Sequence, residues 1–185
     1  YGLRKALNYE GVPTRVLAPD INRSVLDWID RDDEKPFFVF MNYFDVHDPY
    51  TPPQPYRSMY ASSPNPGGLI NGFMERYSPS LTPEQLQSEI DAYDGSISYV
   101  DDQIKALFGE LDTRGLLENT IVIVTSDHGE SLGEHGLLQH SASLYLDEVH
   151  VPLIVWGPRQ VPAGKTVETP VTITALPSTI LSLVN

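Results

Sequence analysis

The amino-acid sequence predicts an α/β fold, a largely parallel sheet flanked by helices, on two observations. Three short apolar runs, at residues 37–43, 119–125 and 151–156, read as buried strands, and segments with helical apolar spacing lie between and after them. The chain has 185 residues and is 41% hydrophobic, enough for one sizeable core, so a single domain over residues 1–185 is expected.

Each element has its own signal. Residues 20–29 read as a short amphipathic helix with Val25, Leu26, Trp28 and Ile29 on one face. Residues 37–43 are aromatic, β-branched and almost unbroken in apolarity, as in a strand covered on both faces. Residues 49–66 hold Pro49, Pro52, Pro53, Pro55, Pro64 and Pro66 among Tyr50, Tyr56 and Tyr60. Proline removes backbone donors, so this is a loop, of the kind that forms lids or binding surfaces.

The clearest helix follows. Thr82 and Gln85 make a capping-box pattern, and Pro83 suits the first helical position. Leu86, Ile90, Tyr93, Ile97, Val100, Ile104, Leu107 and Leu111 then form one stripe. Gly95 weakens the helix by roughly 1 kcal/mol relative to alanine and leaves room for a bend; Arg114 and Gly115 end it. Residues 119–125 form a buried strand, and 126–140 a loop rich in glycine, acid and histidine. Residues 151–156 are the third strand, and 174–184 a last helix with Pro177 near its first turn.

Composition excludes several functions. With 12 Lys+Arg against 25 Asp+Glu the formal charge is −13, which argues against nucleic acid or an anionic membrane as partner. An anionic substrate would need local positive charge from a metal or a few cationic side chains. The absence of cysteine excludes disulfides and thiolate zinc sites within these residues, and no run of about 20 apolar residues could span a membrane.

Two clusters carry chemistry. Asp45-Val46-His47-Asp48 follows the first strand and Asp127-His128-Gly129-Glu130 the second. Ligands of open α/β sheets bind beyond the carboxyl ends of strands, so both clusters are expected to face one crevice. Asp127 and His128 offer a hard oxygen and an imidazole nitrogen side by side, and Gly129 permits the turn that would aim both at one cation. The alternative is an aspartate capping the following turn beside a solvent-facing histidine.

The run Asn119-Thr120-Ile121-Val122-Ile123-Val124-Thr125-Ser126-Asp127-His128-Gly129-Glu130 resembles the sulfatase family of the alkaline phosphatase superfamily. So do Gly133-Glu134-His135-Gly136, residues 151–158, Pro36-Phe37-Phe38-Val39-Phe40-Met41, His47-Asp48-Pro49-Tyr50 and Tyr99-Val100-Asp101-Asp102, in consistent order over about residues 20–184. The resemblance implies an alkaline-phosphatase-like fold. It makes Asp127 and His128 two metal ligands, with two more carboxylates from a segment near the family's N-terminus. Carboxylate oxygens suit calcium, the usual family metal; the histidine leaves manganese or zinc open.

The resemblance also makes His47 a histidine that contacts the sulfate group and helps the leaving oxygen; a loop histidine packed on prolines is the competing reading. His140 lies where many members place a lysine or histidine on the anion. It is one residue off the lysine version counted back from Val151-Pro152, with Ser141 in the ungapped place, and an ordinary loop histidine competes. His135 is expected to be structural or to support the site's ligands from behind, His150 a fold residue, and Asp101 and Asp102 exposed or engaged in a cap-like contact.

The family nucleophile is a cysteine converted to formylglycine, or a serine, within Cys/Ser-x-Pro-Ser-Arg. These residues contain no such run and no match to the family's early adjacent aspartates. The chain is therefore expected to be a fragment, the C-terminal portion of a sulfatase-type catalytic domain. Formylglycine would lie outside it, and the isolated chain would have little activity and weak metal affinity. The intact protein would hydrolyse a small-molecule or carbohydrate sulfate ester. The alternatives are a phosphoester or phosphonate hydrolase or phosphoglycerol transferase of the same superfamily, or a non-catalytic pseudoenzyme.

Overall fold

The structure, a computed structural model, describes residues 15–31, 35–61, 66–70 and 81–184, in two compact units that meet in sequence between Leu107 and Phe108.

In the first unit, helix α1 spans Ala18–Ile29 with Pro19 in its opening turn. Leu17 provides no side-chain cap; the Asp45 carboxylate does, accepting the Ala18 N–H at 3.1 and 3.3 Å. The expected apolar face is only partly realised. Ala18 and Ile29 are buried, but Trp28 is half exposed, edge-on to Phe37 at 6.5 Å. The third buried position is Asn22, whose amide donates to the Gln103 carbonyl at 2.9 Å and accepts from the Tyr43 hydroxyl.

Helix α2, Pro83–Thr113, opens on the reciprocal capping box: Thr82 N–H donates to Gln85 Oε1 at 2.8 Å and Gln85 N–H to Thr82 Oγ1 at 3.3 Å. It closes on Gly115 at φ +68°, with Gly115 N–H bonded to Asp112 O and Leu116 N–H to Leu111 O, the paired bonds of a Schellman end. Its buried face differs from the predicted stripe. Leu107 and Leu111 are buried, whereas Ile97 is 45% exposed and the first half buries Glu89, Ala92, Ser96 and Tyr99 instead. Gly95 and its neighbour Ser96 are buried where the proline–tyrosine loop lies close against the helix. A Cβ on Gly95 would stand 2.3 Å from Tyr56 O, so Gly95 serves close approach. Tyr56 donates to Asp102 Oδ2 at 2.7 Å, Tyr60 bonds Ser98 Oγ at 2.8 Å, and buried Tyr50 meets Tyr93 edge-on. Pro64 of that loop lies outside the described residues.

Residues 37–43 are extended but pair with no strand among the described residues, and they alternate. Phe38 (69%) and Phe40 (87%) are exposed, whereas Phe37, Val39, Met41 and Tyr43 are partly covered. The expectation of cover on both faces is corrected to cover on one, the face joined to α1 through Phe37–Trp28 and Tyr43–Asn22.

In the second unit, β1 (Val122–Thr125) pairs with β4 (Leu153–Trp156) in antiparallel register, Val122 opposite Trp156 and Thr125 opposite Leu153. The parallel pairing expected of these strands is not what forms. Their connection carries a small hairpin and a single helical turn, with no crossover helix to return the chain in the same direction. The hairpin strands are β2 (Ser131–Leu132) and β3 (Leu138–Gln139), and the single turn is α3, Leu146–Val149. Helix α4, Leu176–Val184, follows a 3-10 turn at Ile173–Ala175, where Thr172 Oγ1 accepts the Thr174 N–H.

Candidate metal centre

Asp127 and His128 leave the end of β1 in a turn closed by Ser126 Oγ, which donates to His128 O at 2.6 Å. The chain then lies against α3: Gly129 N–H donates to Glu148 O at 2.7 Å and Glu130 N–H to Asp147 O at 2.9 Å. A Cβ at residue 129 would sit 2.0 Å from Asp147 O, so glycine is required by this contact. His128 Nδ1 lies 2.7 Å from Gly129 O, which can only accept, so Nδ1 carries the proton and Nε2 the lone pair. Nε2 stands 3.7 Å from Asp127 Oδ1, and the aspartate side chain is 83% exposed. Two donors that share a cation at roughly 2.0–2.5 Å each lie about 3–4 Å apart, so oxygen and nitrogen fit one divalent ion. A histidine that donates its other N–H to a carbonyl is also the usual form of a metal-binding imidazole. Among the described residues no group of three or more Asp, Glu or His side chains forms a fuller shell.

His140 stacks on His128, ring centroids 3.9 Å apart at 26°. It is buried, with Nδ1 3.2 Å from a carboxylate oxygen of buried Glu130. Gln139 and Ser141 on either side hold φ of +66° and +69°, a left-handed conformation costly for residues with a Cβ. The loop keeps it because Glu148 grips the next two residues: its carboxylate accepts the N–H groups of Ala142 (3.2 Å) and Ser143 (3.3 Å) and the hydroxyls of Ser143 (2.7 Å) and Ser131 (3.2 Å). Burial would raise the Glu148 pKa, but these bonds hold it below its ordinary value. Thus Asp127, His128 and His140 come together, joined by Glu130 and Glu148. Sequence reasoning gave Glu130 no role and passed over Glu148; an acid two residues after His128 was a usable signal for the first, and nothing local marked the second. His135, at φ +56°, stacks on Tyr145 at 3.7 Å with Nε2 4.0 Å from Asp147, and His150 follows α3 with its ring exposed.

His47 belongs to the first unit. Its Nδ1 lies 2.9 Å from both Asp48 O and Asp48 Oδ1, so Nδ1 is protonated and Nε2 is turned outward from that contact. Its ring stacks on Phe44 at 4.3 Å and 14°. Arg15 lies over the other partner in that stack, 5.0 Å from the Phe44 centroid, and donates to His47 O (3.0 Å) and Asp48 O (2.8 Å). Burial raises the Asp45 pKa despite its bonds to Ala18 and the charge of Arg15, and burial beside Asp45 pushes the Tyr43 hydroxyl up to about 12.

This architecture is the α/β, alkaline-phosphatase-like fold. A phosphonate monoester hydrolase from Silicibacter pomeroyi superposes with a TM-score of 0.72 at 28% identity, over 91% of this chain and 39% of that one. The chain belongs to the sulfatase family, whose pattern it matches over residues 3–185. It is 29% identical over 157 residues to an arylsulfatase of Clostridium perfringens, covering 78% of this chain and 32% of the relative. It is also 29% identical over 159 residues to an ulvan-active sulfatase of Formosa agariphila, covering 83% of this chain and 29% of the relative. The chain spans about a third of the length of the relatives it matches.

Proposed function

We propose that Asp127 and His128 are ligands of a divalent cation, most suitably calcium, in a protein that hydrolyses sulfate esters. The observation that carries the reading is the geometry of His128: Nδ1 lies 2.7 Å from Gly129 O, and Nε2 lies 3.7 Å from an exposed carboxylate. A cation bound there would neutralise negative charge on the ester's oxygens. Manganese or zinc would suit the imidazole equally. His140, stacked on His128 and oriented by Glu130, is assigned to the anion, with Nε2 as its contacting atom. His47 is assigned to the departing oxygen: the imidazolium would give its Nε2 proton to the alkoxide and become neutral, with Nδ1–H still on Asp48. Further carboxylates and the nucleophile are assigned to residues outside these 185, and this stretch alone should be inactive.

The relatives named for aryl sulfates and for ulvan support an organic sulfate ester, small or carbohydrate, as substrate. One likeness favours a second reading, phosphonate monoester hydrolysis on the same residues. Assay of the intact protein on 4-nitrophenyl sulfate and on a 4-nitrophenyl phosphonate monoester separates the two. Faster sulfate turnover, lost by about 100-fold or more in Asp127→Asn, is expected. Turnover of the phosphonate alone, or of both esters undiminished in Asp127→Asn, would contradict the proposal.

A further inference from the structure

We infer that Arg15 is a positioning residue for His47, an inference that rests on the reading of His47 as the group that protonates the leaving oxygen. One oxygen links them: Asp48 O accepts both the Arg15 guanidinium, at 2.8 Å, and His47 Nδ1, at 2.9 Å. The same guanidinium nitrogen holds the carbonyl of His47 itself at 3.0 Å. Its Cζ stands 5.0 Å from the Phe44 centroid, and Phe44 stacks on the imidazole, so a cation–π contact holds the ring that covers the imidazole as the shared acceptor holds the imidazole edge. The residues on either side are pinned as well, because Asp45 caps α1 three residues beyond Arg15.

A half-buried guanidinium is costly to keep away from water, and burial does lower the Arg15 pKa against the raising influence of Asp45 and Asp48. A surface lysine would avoid that cost, but an ammonium lacks the rigid planar fork that the guanidinium brings to these contacts. The arrangement is that of a tether whose purpose is the orientation of residues 44–48.

The test measures kcat of the intact protein on 4-nitrophenyl sulfate, whose leaving group needs little protonation, and on phenyl sulfate, whose leaving group needs more. His47→Asn should lose far more on phenyl sulfate. Arg15→Ala should repeat that asymmetry, with a loss about tenfold greater on phenyl sulfate than on 4-nitrophenyl sulfate. Arg15→Lys, which keeps the charge and guards against failure to fold, should show the same asymmetry in weaker form. Equal fractional losses on both esters in the Arg15 variants, or no loss, with His47→Asn asymmetric, would overturn the role of Arg15 and leave that of His47 standing. Equal losses in His47→Asn would remove the reading of His47 and this inference with it.

Discussion

At the scale of single residues, the candidate metal pair owes its geometry to groups that never face a metal. Gly129 lets the chain after His128 touch the Asp147 carbonyl, and Glu148 ties that region to the loop of His140. Gly129→Ala would place a methyl 2.0 Å from backbone oxygen and should destabilise by about 1–3 kcal/mol or more in urea denaturation. Glu148→Gln removes the charge that four donors converge on, and should cost about 1–3 kcal/mol at neutral pH. Because the folded state lowers the Glu148 pKa, its stabilisation is complete above the ordinary carboxylate value and is lost as pH falls through the lower folded value. The gap in unfolding free energy between the native protein and Glu148→Gln should therefore close on acidification; a gap that widens would contradict the assignment.

At the scale of elements, two glycines of α2 make opposite predictions. Alanine has the better helix propensity at both. Gly109 has nothing within 4 Å of a built Cβ, so Gly109→Ala should raise stability by roughly 0.5–1 kcal/mol. Gly95→Ala should lower it, because its Cβ would meet Tyr56 O at 2.3 Å, and thermal unfolding of the two variants reads the difference. The helix ends were legible in sequence because Thr82, Pro83, Gln85 and Gly115 act through local bonds. The buried face of the first half was not: Ser96 and Glu89 are inside because a distant loop packs there, and periodicity counts only apolar residues. Strand direction was also hidden, since the apolar runs at β1 and β4 look alike in parallel or antiparallel pairing.

At the scale of the whole molecule, a formal charge of −13 means that the proposed anionic ester would need concentrated positive charge, which a bound divalent cation would supply in one place. The pair Asp127 and His128 was legible as a candidate because two adjacent donor residues on a turn form a short, local pattern. Glu148 and Arg15 were not, since they take their places from contacts across 17 and 32 or more residues of chain. Family membership supports a sulfate-ester hydrolase, and the metal pair is the part of that reading on which the rest depends. Calcium titration calorimetry on the intact protein addresses it most directly. Asp127→Asn and His128→Ala should each weaken binding by about tenfold or more, while Gly109→Ala, remote from the site in sequence, binds as the native protein does. Unchanged calcium affinity in both ligand variants would contradict the metal centre proposed at the end of β1.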